Sequence, residues 1–186
     1  MGTRSLFSSW QITDAGRKAY NTAMDKDTTL RENMVLLLTG ETARMSFEDA
    51  VADFPIDRIN ESFPNADYSP WHLLEHIRRA QEDILDLIKN PNYREPKWPE
   101  DYWPAKSERA TPADWSKTID SWKRDFREIQ DMVNDPHNDL FREIPWGDGQ
   151  TFLVEMVTVS NHNAFHTGEF AMMRQAMGTW PKDRRT

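Results

Sequence analysis

Apolar positions recur at steps of three and four through four long stretches of the chain, each bounded by residues that start or stop helices. The first opens at Thr29-Leu30-Arg31-Glu32, a capping-box pattern, carries Leu30, Met34, Leu37 and Leu38 on one face, and stops near Gly40. The second begins at Ser69-Pro70, continues through Trp71, Leu74, Ile77, Ile84 and Leu85, and ends at Asn90-Pro91. The third repeats the device at Thr111-Pro112 and runs through Trp115, Ile119, Trp122, Phe126, Ile129 and Val133 to Asp135-Pro136. The fourth and longest spans about Gln150 to Met177, with Leu153, Met156, Val157, Ala164, Phe165 and Met172 as its apolar or small positions and Gly178 as its stop.

No stretch alternates as a strand bounded by hairpin turns, and no internal repeat is visible, so the expected fold is all-α. Four amphipathic helices of this length predict a four-helix bundle, whose sites are built from side chains on facing helices. The connections are long. Residues 90–111 carry four Pro and four aromatics, too many breakers for a helix and too much apolar surface for a loose linker. This segment is expected to run back along the bundle, letting the second and third helices lie parallel, and to cover its side rather than wall a pocket. The 40–69 connection holds a short candidate helix at Ser46–Phe54, and another is a candidate near Asp14–Met24. The division expected is an N-terminal extension over 1–28, the bundle over 29–181 and a short tail over 182–186.

Composition narrows the chemistry. The 186 residues include 23 Lys and Arg against 31 Asp and Glu, a net charge of −8, which lacks the basic footprint that phosphate backbones require. Nucleic acid is not an expected partner. With no Cys, disulfides, thiolate metal sites and cysteine nucleophiles are excluded together, and a metal would be held by His and carboxylates. No apolar run has the length of a signal peptide or membrane span, and the start misses the myristoylation pattern at Leu6. The expectation is a soluble, cytoplasmic protein without a membrane partner.

The five histidines are His72, His76, His137, His162 and His166, and two pairs stand four residues apart within predicted helices. Random placement of five His would give roughly 0.1 such pairs. An i, i+4 pair shares one helix face and can reach one metal, with a third ligand from a neighbouring helix. Phe165 and Met173 beside His162 and His166 suggest that these imidazoles face inward, where polar groups need partners. The bland alternative is a pair of histidines hydrogen-bonded in the bundle. Known two-histidine patterns fail on the letters. In His162-Asn163-Ala164-Phe165-His166 the zincin Glu is missing. No Glu stands three before any His, which rules out the di-iron carboxylate pattern. A mononuclear three-imidazole site with an open position remains.

Ser69-Pro70-Trp71-His72-Leu73-Leu74-Glu75-His76-Ile77, Gln81-Glu82-Asp83-Ile84-Leu85, Asp148-Gly149-Gln150-Thr151 and Asn161-His162-Asn163-Ala164-Phe165-His166-Thr167-Gly168-Glu169, with the closing Arg174, Gly178, Trp180 and Pro181, resemble the DinB/YfiT-like family of metalloenzymes over about residues 29–181. The resemblance implies an up-down-down-up bundle and one divalent metal, nickel or zinc before iron or manganese, held by His76, His162 and His166. It implies a small-molecule substrate, with thiol-using transferases among the family's members, and a homodimer. His72 stands where relatives more often carry a non-ligand, and Glu169 where they carry Gln.

Asp83 and Glu155 lie seven residues from His76 and His162 and share their helix faces. Either can orient an imidazole or merely rim the bundle. His137 reads as a solvent-facing turn residue. Two classes of function follow: a metal-dependent enzyme, thiol transferase-like, or a non-catalytic metal- or ligand-binding stress-response protein. Direct ligation by Glu169 or His72 would favour the second.

Overall fold

The computed structural model describes residues 26–41 and 45–180, and among these it holds five α-helices and no strand. They are α1 (Lys26–Thr39), α2 (Phe47–Val51), α3 (Pro70–Lys89), α4 (Pro112–Asn134) and α5 (Phe152–Ala176), with a 3₁₀ turn at Ile56–Arg58. The candidate helix near Asp14–Met24, the 1–25 part of the expected extension and the 182–186 tail lie outside the described residues.

Side-chain caps set most of the helix starts. Ser46 and Thr111 each accept a hydrogen bond from the backbone N–H three residues on, and Asp49 and Asp114 return the bond. At α3 the cap is Ser69, and the residue that closes the box is His72 rather than an acid. Thr151 caps α5 through the N–H of Val154, so this helix starts at Phe152, two residues after the expected position. Gly40 and Gly178 adopt φ of 73° and 66°, the left-handed conformation in which a helix is stopped at little cost by a residue without Cβ.

The Thr29–Glu32 pattern does not start a helix. α1 is already formed at Lys26, so Thr29 is an interior position and the expected 28/29 boundary falls within a helix. Leu37 is also misplaced by the pattern, being half exposed while Met34 and Leu38 are buried. On an ideal helix Leu37 lies about 60° round from Met34, on the side away from Leu38, and α1 buries only the narrow stripe that includes Arg31. The Arg31 guanidinium donates to the carbonyls of Val133, Asp135 and Asn138, at 2.8, 2.8 and 2.7 Å. It thereby satisfies one carbonyl that the last turn of the Pro112–Asn134 helix leaves unpaired and two more in the chain just beyond it.

The second and third helical patterns hold closely. Trp71, Leu74, Ile77 and Leu85 on α3, and Trp115, Trp122, Phe126, Ile129 and Val133 on α4, are all in the core. Trp122 centres it, stacking on Phe126 with ring centroids 4.6 Å apart and meeting Phe47 of α2 at 4.0 Å. On α5 the buried stripe is Met156, Val159, Asn163, His166, Phe170 and Met173, while Val157, Ala164, Phe165 and Met172 are exposed. The apolar letters of α5 exceed what the bundle covers.

Contacts along α3 and α4 advance together. Thr118 meets Glu75, the Trp122 carbonyl accepts from Gln81, and Lys89 pairs with Glu128. Between α3 and α5 they advance in opposite senses, from Leu87 with Trp146 just before α5, through His76 with His162, to Tyr68 just before α3 with Glu169. The 90–111 segment runs back along α3 as expected. The Tyr93 and Tyr102 hydroxyls donate to Asp83, and the carbonyls of Tyr102 and Ala105 meet His76 and His72.

Candidate metal centre

α3 contributes His76 and α5 contributes His162 and His166, one turn apart on the side facing α3. The Nε2 atoms of His76 and His162 are 3.2 Å apart. The ring centroids of His76 and His166 are separated by 4.9 Å, and those of His162 and His166 by 4.4 Å. One ligand nitrogen from each ring falls within 4.8 Å of the others. His76 and His166 are buried, at 2% and 7% exposure, and His162 is partly buried.

The surroundings fix which nitrogens are free to ligate. The Tyr102 carbonyl lies 3.2 Å from Nδ1 of His76, and since a carbonyl only accepts, that nitrogen carries the proton and leaves the Nε2 lone pair for the site. His166 donates from Nδ1 to Oε2 of Glu169 at 2.6 Å, and Oε1 of Glu169 accepts from the Tyr68 hydroxyl at 3.1 Å. Trp103 stacks flat on His76, with centroids 3.9 Å apart and planes 7° from parallel. Burial is the largest influence on the two facing rings. It drives His76 down to about 4 and His162 down to about 3, aided in both by the nearby His166, so both imidazoles are neutral at pH 7.

This donor set suits a cation. Two imidazole nitrogens on one tetrahedral ion at 2.0–2.1 Å stand about 3.3 Å apart, close to the observed 3.2 Å. His76, neutral and fixed by a hydrogen bond at Nδ1, has the form in which histidine ligates metals, and the Nδ1 of His166 is fixed likewise. The three imidazoles can hold a metal ion. They also line one end of a cavity of about 840 Å³ between α3, α5 and the 90–111 segment, so one side of the cluster faces open space.

The remaining histidines are engaged elsewhere. His72 has Nδ1 2.6 Å from Ser69 Oγ and Nε2 3.1 Å from the Ala105 carbonyl. His137 is exposed in its turn beside Asp135. Glu169 holds a ring rather than joining the cluster. Neither Asp83 nor Glu155 orients an imidazole, contrary to one reading of their spacing. Asp83 is taken by two phenols, and Glu155 lines the cavity two turns away from His162. Phe165, expected to bury the histidine face, is 65% exposed at the cavity's edge. The 90–111 segment does more than cover the bundle, because Tyr93, Trp98, Tyr102 and Trp103 wall the cavity. Tyr68 and the Tyr102 carbonyl carried no signal in the sequence, since neither stands in helical register with a histidine. No family model, curated protein or solved structure matches the chain.

Proposed function

We propose that this protein is a metal-dependent enzyme of the DinB-like kind, holding one divalent ion, nickel or zinc, through His76, His162 and His166. The observation that carries the reading is the convergence of three imidazoles from two helices on a point that opens into a large cavity. Imidazole sets favour zinc and nickel over the harder oxygen-seeking cations. When bound, such an ion supplies Lewis acidity toward a water or thiol in the cavity. The chain's own groups do the positioning. The Tyr102 carbonyl and Glu169 hold the Nδ1 protons of His76 and His166, Tyr68 steadies Glu169, and Trp103 shields one face of His76 from water.

The reaction class that suits the site best is group transfer with a low-molecular-weight thiol, because the chain has no Cys of its own and the cavity beside the histidines has room for a small molecule that brings the sulfur. In this reading α1, α3, α4 and α5 make an up-down-down-up bundle. The contacts that advance together along α3 and α4, and oppositely along α3 and α5, support that order. A cytoplasmic location fits a chain with no Cys and no helix long and apolar enough to cross a membrane among the described residues. A homodimer fits the exposed Trp98, Phe165 and Met172, and sedimentation showing only monomer would remove that part.

Elemental analysis of wild type and variants tests the centre. One equivalent of metal is expected in wild type, with loss in His76→Ala and in the His162→Ala, His166→Ala double variant. Stoichiometric metal in a folded double variant overturns the assignment. Substitution with cobalt tests openness: a small thiol is expected to add a sulfur charge-transfer band. A spectrum indifferent to thiols turns the reading toward the non-catalytic metal- or ligand-binding protein.

A further inference from the structure

Each of two site histidines has a carboxylate seven residues away, Asp83 after His76 on α3 and Glu155 before His162 on α5. Seven residues are two turns less about 20°, so each carboxylate lies roughly 10 Å along its helix on nearly the same face as its histidine. Because the contacts of α3 and α5 advance in opposite senses, both steps lead toward the same end of the cavity. The two carboxylates therefore share a layer below the histidines, and the charge of Asp83 is felt at Glu155.

Glu155 is the unusual member. It is 7% exposed and lines the cavity, and among the described residues no hydrogen-bond donor or cation meets its carboxylate. Buried carboxylates ordinarily have such partners, because removing the charge from water is otherwise costly. Asp83 accepts one phenol proton on each oxygen, from Tyr93 at 2.8 Å and Tyr102 at 2.6 Å. Each oxygen keeps a second acceptor site. Glu95 and Asp148 also line the cavity, whereas no Lys or Arg does among the described residues. Tyr93 and Tyr102, bonded to Asp83, and Trp146, bonded to the Leu87 carbonyl, complete the wall at this end, and aromatic rings attract cations.

We propose that this end of the cavity binds the ammonium group of a small organic cation, with Glu155 and Asp83 as its counter-ions and the aromatic side chains as its walls. The molecule's reacting end then lies about 10 Å away at the three histidines by the same helix geometry. That last placement rests on the metal-centre reading, whereas the ammonium site does not.

Titration of tryptophan fluorescence with n-butylammonium and with n-butanol, on zinc-loaded and on chelator-treated protein, tests the proposal. The ammonium is expected to saturate at a concentration at least about tenfold below the alcohol in both forms. Glu155→Gln is expected to remove that preference while leaving the metal content at the wild-type value. Persistence in the chelator-treated form separates the carboxylate site from amine ligation of the metal, so the result stands even if the chain binds no zinc. Equal binding of amine and alcohol, absence of saturation by the amine in the millimolar range, or an unchanged preference in folded Glu155→Gln overturns it.

Discussion

Glu169 sits less than one helical turn beyond His166 on α5 and accepts its Nδ1 proton at 2.6 Å. The carboxylate thus supports a ligand instead of being one. Its neighbour Tyr68, donating to the other oxygen, fixes the carboxylate from the loop that precedes α3 and links the two helices that carry the histidines.

Removing that support should weaken metal binding without abolishing it. Partners of this type typically contribute about 10- to 100-fold in affinity. Glu169→Ala is expected to fall in that range, and Glu169→Gln, which keeps a carbonyl oxygen to accept the proton, to lose less. Competition titration of zinc against a chromophoric chelator gives both values, and wild-type affinity in Glu169→Ala would show that the contact does not orient His166.

The pH dependence of Glu155 has the opposite sign from an ordinary surface carboxylate. Burial first, and the charge of Asp83 second, raise its pKa in the folded state. A raised carboxyl pKa means that the native state holds its proton where the unfolded chain has lost it. Its stabilisation is complete below the unfolded value near 4.5 and is lost as pH rises through the folded value. Glu155→Gln, permanently neutral, is expected to raise the melting temperature at pH 7 and to match wild type near pH 4. A variant less stable than wild type at pH 7 would contradict this balance.

Arg31 offers a stability test remote from the site. Its guanidinium bridges the carbonyls of Val133 at the end of α4 and of Asp135 and Asn138 in the turn beyond it, while pairing with Asp27. Arg31→Met keeps the aliphatic stem and strands those carbonyls, at a cost of about 2–3 kcal/mol for lost bonds to a buried charge. Denaturant unfolding at constant m-value measures it, and a change below 0.5 kcal/mol, the size usual for surface substitutions, would mean that water replaces the guanidinium freely.

What could be read from the letters followed their physical redundancy. α3 and α4 were legible because cap, Pro at the first turn, apolar stripe and terminal Asx-Pro all agree at Ser69–Asn90 and Thr111–Asp135. The i, i+4 rule is local and brought out both histidine pairs, His72/His76 and His162/His166, while the choice of His76 over His72 as third ligand came from the family resemblance and not from spacing. α5 and α1 were harder. Apolar letters such as Phe165, Met172 and Leu37 outnumber the buried positions, so periodicity alone overestimated the covered face. The partners of the site were illegible for a different reason. Tyr102 reaches His76 through its carbonyl, a group that every residue carries, and Tyr93 and Trp103 arrive from an irregular segment whose path no periodicity encodes.

That segment supplies the last test, because Asp83 is its anchor. Two phenols of residues 90–111 donate to the Asp83 carboxylate, while the main chain of one of them, Tyr102, holds His76. Loss of the carboxylate should therefore act on the metal centre through the backbone. Bonds to a charged acceptor contribute about 1.5–3 kcal/mol each, and every 1.4 kcal/mol lost raises the population of locally open segment about tenfold. Asp83→Ala is expected to speed proteolytic cleavage within 90–111 by at least that factor and to lower metal affinity through a less constrained His76. Tyr102→Phe removes one phenol bond but keeps the carbonyl, so it should loosen the segment less and leave metal binding near wild type. Limited proteolysis paired with zinc titration on the two variants reads both effects. If Tyr102→Phe loses metal as severely as Asp83→Ala, the hydroxyl rather than the main chain governs His76 and the proposed route from Asp83 to the centre is wrong.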